Sequence, residues 1–529
     1  MKKIFKFITC FCLFLVGVFI FTPFVLATWS SQTSGVAVAL NDIDMVDVNN
    51  GWAVGDAVGG NGVILNTTDG GQTWNRQTGG VVPNVNLNGV SAVDANTAWV
   101  VGDALLGMGI VLYTINGGTT WAQQNGGVMP LPNADLHDVA AVDANTAWAV
   151  GDFALPAETI MYTTDAGANW NNQGAPVVID LYGVDAASSS YAWTVGQTGG
   201  AAGTIYYTNN AGANWNGQAG APNVNLNDIT YGGGDPTAGD AALWITGDSD
   251  GANGVILYTD DNGANWTQQN GTIPNVNLHG ASAIDEDIVW SVGASDGVNG
   301  VDLKTRNNGA LWSQQTESIP NVALNGVSAV NAANIWVVGA GGTIVKYSDT
   351  TAPAMVLNAI TTPTTDTTPT FTGTASDYDG ESAVPSVEYR IDSGSWNSAS
   401  ITGGGGTSDV TYQFTLAALT SGSHTVDSRG TDAEANTTTA GNYATQTFTI
   451  SSSGTSGDGD DGNDDGSGEL VATGLVQESR FNFLDSLILS FVISVGSYLA
   501  LIRIEKNLSF LKVPFLKSKQ KKRVYTIQF

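Results

Sequence analysis

The chain has 529 residues, and its charge is unevenly distributed along them. Residues 28–479 hold six Lys or Arg and 46 Asp or Glu, so their formal charge is −40, the difference between the two. A surface this acidic repels nucleic acid phosphates, which excludes DNA and RNA as partners and favours cations, neutral polymers or basic proteins. Both cysteines, Cys10 and Cys12, lie near the N-terminus, so the rest of the chain has no thiol for a disulfide, a zinc site or a nucleophile.

Residues 1–27 have the three parts of a secretory signal peptide. Lysines open the segment, a long apolar run follows, and Val25-Leu26-Ala27 places small residues where signal peptidase cuts. An uncleaved anchor is the alternative. We expect the exported chain to begin at Thr28.

Residues 28–350 repeat with a period of about 47 residues, the spacing of their recurring Trp residues. The first marker is a Leu followed by Asn, His or Tyr, at Leu40, Leu87, Leu136, Leu181, Leu226, Leu278 and Leu324. The second is a Trp followed two or three residues later by Gly, at Trp52, Trp99, Trp148, Trp193, Trp244, Trp290 and Trp336. The third is a turn that ends in Trp, at Trp74, Trp121, Trp170, Trp215, Trp266 and Trp312.

Each repeat predicts four short strands joined by Gly, Asn and Asp. In the first repeat these are "LNDIDMVD" (40–47), "GWAVGD" (51–56), "GVILNTT" (62–68) and "TWNRQT" (73–78). Four strands in each unit of 40–50 residues are typical of propeller blades, which bury their faces by stacking around an axis. The sequence therefore predicts an all-β chain with a seven-bladed β-propeller.

The seventh repeat, residues 324–350, has three strands and lacks the turn Trp. A surplus fourth strand stands at the other end of the repeat region, since "TWSSQT" (28–33) aligns with "TWNRQT" (73–78). We predict that this N-terminal strand completes the last blade and that Trp29 is its seventh turn Trp.

The turn "TTDGGQTW" (67–74) resembles the Asp-box, or BNR, motif. Its side chain at the third position is expected to accept backbone N–H groups across the turn, while the following Gly supplies a positive φ. These positions are Asp69, Asn116, Asp165, Asn210, Asp261 and Asn307. Because Asn replaces Asp in three copies, a structural role is favoured over a catalytic or metal-binding one.

Asp-box propellers include sialidases, xyloglucanases, sortilin-type receptors and the photosystem II assembly and stability factors. The segment "GWAVGD…GVILNTTDGGQTW" (51–74) is most similar to the last of these, and the resemblance covers about residues 28–350. It implies a seven-bladed ring that binds protein. A sialidase resemblance implies three arginines around the sugar carboxylate, whereas this region has only Arg76 and Arg306.

One rim of the predicted ring collects polar residues that are candidates for a ligand site. Loops on rigid scaffolds are favoured places for binding, although turn chemistry alone also accounts for Asp and Asn there. The candidates are Asp56, Asp103, Asp152 and Asp248, together with Asn41, Asn88, His137, Tyr182, Asn227, His279 and Asn325. We expect His137 and His279 to be exposed loop residues, and we predict no catalytic residue.

The ring has one candidate cofactor, Ca²⁺. "GDSDGANG" (247–254) offers Asp248, Asp250 and Asn253 as oxygen ligands, without the full loop pattern of a calcium site.

Residues 352–450 lack the repeat, are rich in Thr and Ser, and predict a β-sandwich. "VEYRIDSGSW" (387–396) and "GSHTVDSRGTD" (422–432) resemble bacterial Ig-like domains, which implies a spacer. Ca²⁺ binding by Asp377, Asp379, Asp432 and Asn436 is an alternative there to turn hydrogen bonding. Residues 451–469 predict a flexible acidic linker.

Residues 481–502 form an apolar segment that is long enough to cross a bilayer. The basic residues of 503–529 predict a cytoplasmic tail, with everything before the span outside the cell. "LVATG" (470–474) is similar to a sortase sorting signal but has Val471 in place of Pro, so attachment to the cell wall is an alternative to a retained membrane helix.

Taken together, these segments predict an anchored cell-surface protein that binds an extracellular protein or glycan without catalysis. The alternative is an extracellular glycoside hydrolase or lyase that uses rim carboxylates. A chaperone similar to the photosystem assembly factors is the third hypothesis.

Overall fold

The computed structural model describes residues 28–452, apart from 125–130, 154–159, 175–177, 270, 317, 350, 378–383, 405–408 and 434. The predicted signal peptide, most of the acidic linker, the predicted span 481–502 and the basic tail lie outside the described residues. Across the described ranges, none of the helices has the length and apolar character needed to cross a membrane.

Residues 28–348 form seven four-stranded antiparallel sheets, here called blades 1–7 in chain order. The first strands are β2 (Leu40–Met45), β6 (Leu87–Ala92), β10 (Leu136–Ala141), β14 (Leu181–Ala186), β18 (Leu226–Gly233), β22 (Leu278–Ala283) and β26 (Leu324–Asn331). The second strands are β3 (Gly51–Val58), β7 (Ala98–Leu105), β11 (Ala147–Gly151), β15 (Ala192–Gly196), β19 (Ala242–Ser249), β23 (Val289–Ser295) and β27 (Asn334–Gly339).

The outer half of each blade consists of a third and a fourth strand. The third strands are β4 (Asn61–Thr67), β8 (Met108–Thr114), β12 (Ile160–Thr163), β16 (Thr204–Thr208), β20 (Gly254–Thr259), β24 (Gly300–Thr305) and β28 (Thr343–Ser348). The fourth strands are β5 (Asn75–Arg76), β9 (Ala122–Gln123), β13 (Asn171–Asn172), β17 (Asn216–Gly217), β21 (Thr267–Gln268), β25 (Ser313–Gln314) and β1 (Thr28–Thr33). A short 3₁₀ turn, Ala340–Gly342, precedes β28.

The blades are arranged in a ring. The first strand of each blade packs beside the first strand of the next, and β26 packs beside β2, so blade 7 meets blade 1. The all-β class and the four-stranded antiparallel units are those predicted. The fourth strand is shorter than predicted in blade 1, because beyond Gln77 the chain crosses to blade 2, where Gly80 forms a bridge with Trp121.

The N-terminal strand supplies the fourth strand of blade 7. All six residues of β1 pair antiparallel with β28, from Thr28 opposite Ser348 to Thr33 opposite Thr343. Trp29 is 5% exposed and packs against Tyr347 of its own blade and Trp290 of blade 6.

Tryptophan pairs fill the gaps between blades. The second-strand Trp of one blade meets the turn Trp of the next edge to face, with ring centroids about 5.5–5.8 Å apart. These pairs are Trp99–Trp170, Trp148–Trp215, Trp244–Trp312 and Trp290–Trp29. Trp29 therefore occupies in blade 7 the position that the turn Trp occupies in the other blades.

The Asp-box turns share one hydrogen-bond pattern. Oδ1 of Asp69 accepts the N–H of Thr73 at 2.9 Å, and Oδ1 of Asn116 accepts the N–H of Thr120 at 3.0 Å. The same bond from the residue four positions later is made to Asp165, Asn210, Asp261 and Asn307. Because an amide oxygen and a carboxylate oxygen both accept this bond, the geometry accounts for Asp and Asn alternating at this position.

Residues 354–450 form two further four-stranded sheets around one core, which contains Phe371, Tyr412, Phe414 and Phe448. The first sheet has the order β29 (Ala354–Leu357), β30 (Thr370–Ser376), β34 (Asp409–Thr415) and β33 (Ser400–Gly403). The second has the order β32 (Asn397–Ser398), β31 (Ser386–Ile391), β35 (Gly422–Thr431) and β36 (Ala444–Ile450). The arrangement is a sandwich, and its Ig-like relationship stays a prediction.

Replacing Trp29 with Ala tests the role of the N-terminal strand. We expect the Trp29→Ala variant to lose about 3–5 kcal/mol in the free energy of unfolding, because it leaves a cavity between blades 6 and 7. Chemical denaturation followed by tryptophan fluorescence measures this loss. Ser31→Ala, an exposed position on the same strand, is the matched control and should change stability by no more than about 0.5 kcal/mol. Equal stability of the two variants would contradict closure by this strand.

Candidate binding site at the channel mouth

The seven first strands surround a central channel that holds a cavity of ≈ 320 Å³. Each of these strands is the inner edge of its sheet, so part of its backbone N–H and C=O groups has no partner within the blade. Buried backbone polar groups need partners. Around the channel, side chains of the neighbouring blade provide them.

At the mouth, side-chain N–H groups donate to the Leu carbonyl that opens the next blade. Asn41 donates to the carbonyl of Leu87 at 2.9 Å, and Asn325 of blade 7 donates to Leu40 of blade 1 at 2.8 Å. The other bonds of this kind are Asn88 to Leu136, Asn227 to Leu278 and His279 to Leu324. Five of the seven Asn, His and Tyr residues of the predicted ligand ring thus also join one blade to the next.

Four residues of the predicted ligand ring are paired with the carboxylate that follows the second strand of their own blade, and three of the four also donate to a Leu carbonyl. Nδ2 of Asn41 donates to Asp56 at 3.1 Å. The same pairing joins Asn88 to Asp103, His137 to Asp152 and Asn227 to Asp248, at 2.7–3.1 Å. The structure therefore brings together the two sets of residues that the sequence placed on one rim.

The expectation of exposed histidines is wrong. His137 is partly buried, since it bonds Asp152 and lies edge-on against Tyr182 with ring centroids 5.5 Å apart. His279 is also partly buried, because it spans the gap to blade 7. Both line the cavity, and burial raises the pKa of the neighbouring Tyr182.

The pairings determine what the mouth offers to a ligand. An amide NH₂ has two protons, and in Asn41, Asn88 and Asn227 one goes to a Leu carbonyl and the other to an Asp. The Oδ1 atom is then the group left to meet a ligand. Together with the carboxylates, these oxygens make the mouth an acidic surface of hydrogen-bond acceptors.

Deeper in the channel lie acidic residues that are not part of the predicted ligand ring. Asp42 accepts the N–H of Val90 in the next blade and the N–H of Ile43 in its own, both at 2.8 Å. Asp138 and Asp228 make the equivalent pair of bonds in blades 3 and 5. In the sequence, each of these three Asp residues directly follows a residue of the predicted ligand ring.

Glycines make room for these aspartates. A Cβ atom on Gly326 would lie 2.9 Å from Cα of Asp42, and one on Gly183 would lie 2.8 Å from Cα of Asp228. Gly89 stands in the same relation to Asp138, at 3.0 Å. Each of these Asp residues therefore packs against a Gly of the preceding blade, at a position where a larger side chain would not fit.

Two positions further along the strand, another set of side chains accepts N–H groups from the next blade. Asp44 accepts from Ala92 at 2.7 Å, and Ser328 of blade 7 accepts from Met45 of blade 1 at 3.0 Å. The other acceptors are Ser91, Asp185, Thr230 and Ser282. This set also continues from blade 7 to blade 1.

Burial changes the protonation of the channel carboxyls. It raises the pKa of Asp42 to about 8, of Asp228 to about 7 and of Asp44 to about 6, although the backbone N–H bonds act in the opposite direction. The pKa values of Asp138 and Asp185 are raised by burial too. The cavity reaches these residues, but protein surrounds their carboxyls on the other sides.

The predicted calcium loop is held by hydrogen bonds. Asp250 accepts the N–H groups of Ala252 and Asn253 through Oδ1 and the amide of Gln268 through Oδ2. Asp248 accepts from Asn225 and Asn227. These bonds favour the turn interpretation over the calcium interpretation for residues 247–254.

The fold and its turns define a BNR-type β-propeller. Residues 23–175 match the sequence model of the photosynthesis system II assembly factor YCF48 family, and the propeller resembles that family. No curated protein sequence matches the chain.

Solved structures with a similar fold include YCF48 bound to a D1 peptide, at 21% identity and a TM-score of 0.47, covering 62% of this chain and 100% of that one. Another is the extracellular domain of a putative hybrid two-component system from B. thetaiotaomicron, at 12% identity and a TM-score of 0.39, covering 80% of this chain and 57% of that one. SapL1 lectin in complex with alpha methyl fucoside follows at 14% identity and a TM-score of 0.35, covering 49% of this chain and 92% of that one.

The channel carboxyls predict that stability falls in mild alkali. Because the folded pKa values of Asp42 and Asp228 are raised, their contribution is fully present below about pH 4 and is lost as the pH rises through 7 to 8. Asp165 of an Asp-box has a lowered pKa, caused chiefly by the side-chain bond from Asn169, so its contribution is lost on acidification instead. We therefore expect the melting temperature to peak near pH 5 and to fall by about 5 °C or more by pH 8.5.

Differential scanning calorimetry across this range tests the prediction. Asp42→Asn should flatten the fall between pH 5 and 8.5, whereas the control Asp165→Asn should leave that fall unchanged. An identical alkaline slope in the Asp42→Asn variant would show that the channel carboxyls are not its cause.

Proposed function

We propose that this protein is a non-enzymatic binding protein of the cell surface, and that the mouth of its propeller binds an extracellular protein through a basic segment. The observation that carries the proposal is the ring of acceptor oxygens, in which the amide protons of Asn41, Asn88 and Asn227 are already used. A ligand for such a ring has to supply hydrogen-bond donors.

Charge supports a basic ligand. Among the described residues, no Lys or Arg side chain lines the cavity. Burial raises the pKa of the five Asp that line it, so these residues contribute less negative charge than their number suggests. The carboxylates of Asp56, Asp103 and Asp248 add negative charge beside the mouth. Fields of this kind steer oppositely charged partners and raise association rates.

A glycan is the second ligand class, because sugar hydroxyls are also donors. His137 and Tyr182 lie against each other and both line the cavity, and aromatic rings offer an apolar surface to the apolar face of a sugar. Charge complementarity does not help a neutral glycan, so protein is the preferred partner.

The enzyme alternative, a glycoside hydrolase or lyase, is disfavoured by the hydrogen bonds of the channel. Raised pKa values such as that of Asp42 are typical of general acids. However, both carboxyl oxygens of Asp42, Asp138 and Asp228 accept backbone N–H groups from two blades, which accounts for their burial without a reaction. The assembly-factor-like chaperone would use the same mouth for protein binding and remains the third hypothesis.

The position in the cell is part of the same proposal. An N-terminal signal peptide would export the propeller, the sandwich and acidic linker would act as a spacer, and residues 481–502 would anchor the chain in the membrane. Wall attachment through 470–474 is the alternative form of anchoring.

Binding to defined peptides tests the proposed ligand class. Biolayer interferometry with octalysine, octaglutamate and a neutral Gly-Ser octamer should show binding to octalysine only, weakening as salt rises from 50 to 500 mM. The double variant Asp56→Asn/Asp248→Asn should weaken that binding about tenfold, equivalent to about 1.4 kcal/mol. Asp235→Asn, an exposed carboxylate between the first and second strands of blade 5, is the matched control and should bind like the wild type.

The same preparations, incubated with a glycan array and with polysaccharide substrates, separate the alternatives. Glycan binding without peptide binding would favour the second ligand class. Turnover of a glycan that disappears in the double variant would show that the mouth is catalytic and would overturn the proposal.

A further inference from the structure

Three aspartates converge where the propeller joins the sandwich. Each is the residue directly after a strand: Asp349 follows β28 of blade 7, Asp377 follows β30, and Asp432 follows β35. They come from blade 7 and from each of the two sheets of the sandwich. One carboxylate oxygen from each lies within 4.8 Å of the others, and all three residues are at most 5% exposed.

One atom of this cluster lacks the hydrogen bond that a buried carboxylate requires. Oδ1 of Asp349 accepts the N–H and the hydroxyl of Thr351, both at 2.8 Å. Its Oδ2 is buried and meets no donor among the described residues. A buried carboxylate oxygen without a donor is costly, and two other carboxylates beside it increase the cost, so the arrangement calls for a cation.

We propose that Asp349, Asp377 and Asp432 bind one Ca²⁺ ion. The site offers oxygen ligands only, which hard cations prefer over zinc or copper. Two oxygens bound at about 2.4 Å to one calcium ion lie at most about 4.8 Å apart, so three carboxylate oxygens within 4.8 Å of one another can share one ion. Calcium accepts irregular sets of oxygen ligands, whereas Mg²⁺ demands a near-octahedral shell at about 2.1 Å.

The surrounding contacts hold the three carboxylates in place before any ion binds. The backbone N–H of Asp349 donates to Ala333, which fixes it to blade 7. In the sandwich, Asn436 donates from its backbone to Oδ1 of Asp432 at 2.8 Å and from its amide to the carbonyl of Asp349 at 3.4 Å. Thr438 donates to the carbonyl of Pro353 at 2.8 Å, on the segment that connects the two domains.

The ion would therefore tie the propeller to the sandwich. One ligand belongs to the end of blade 7 and two belong to the sandwich, so calcium stabilises the junction. Removing calcium leaves three buried carboxylates facing one another and weakens it. The extracellular side of a membrane, where the proposed function places this junction, is rich in calcium compared with the cytoplasm.

Calorimetric titration of the full-length chain tests the site. The protein, purified in a mild non-ionic detergent and stripped with EDTA, is titrated with CaCl₂ and separately with MgCl₂. We expect one Ca²⁺ per chain with a Kd between about 10⁻⁶ and 10⁻³ M, and Mg²⁺ binding at least about tenfold weaker. Absence of any calcium-dependent heat in the wild type would overturn the proposal.

Two variants and one control locate the site. Asp349→Asn should lose the calcium heat and the calcium-induced rise in melting temperature, and Asp377→Asn provides a second test should the first variant fold poorly. Asp366→Asn, an exposed aspartate of the same sandwich, should bind calcium like the wild type.

The sign of the stability change separates a metal site from a purely structural cluster. In EDTA, Asp349→Asn should melt at or above the wild-type temperature because it removes a buried charge, whereas in calcium the wild type should melt higher. Calcium binding retained in both Asp349→Asn and Asp377→Asn would contradict the assignment.

Discussion

The inner edge of each blade is the constraint on which this propeller depends. The first strand of every sheet has only one neighbour in its own blade, and its remaining N–H and C=O groups point toward the next blade or the channel. The chain meets this requirement with side chains: Asn and His donate to carbonyls at the mouth, and Asp, Ser and Thr accept N–H groups further in. The two sets of bonds pass from blade 7 to blade 1 at Asn325–Leu40 and Ser328–Met45.

This constraint also shapes the candidate site. Residues such as Asn41 cannot present their amide protons to a ligand, because those protons already join two blades and a carboxylate. What remains is a surface of oxygen acceptors in an acidic channel. The Asn bonds that close the ring therefore leave mainly acceptor oxygens at the mouth. The bonds from Asp42 and Asp228 to the next blade account for the burial that raises their pKa values, without a catalytic role.

Much of the fold was predictable from the sequence because its signals are local and repeated. The seven Leu and Trp markers predicted the blades, and the unmatched "TWSSQT" predicted where Trp29 packs. The channel aspartates could not be predicted because their role depends on neighbours in space: Asp42 packs against Gly326, which lies 284 positions later in the chain. The sequence predicted Asp377 and Asp432 as candidate oxygen ligands but not Asp349, because no local sequence pattern shows that the end of β28 meets two turns of the sandwich.

Hydrogen exchange at the inner strands tests the central claim that side chains from one blade satisfy the edge of the next, all the way around the ring. The decisive amide is that of Met45, whose N–H donates to Ser328 across the boundary between blades 7 and 1. In the full-length protein, measured by mass spectrometry over residues 40–46, we predict that it exchanges only with global unfolding, as the amides of the central strands do. Exchange of Met45 at the rate of an unprotected edge strand, while the central strands stay protected, would contradict the closed ring.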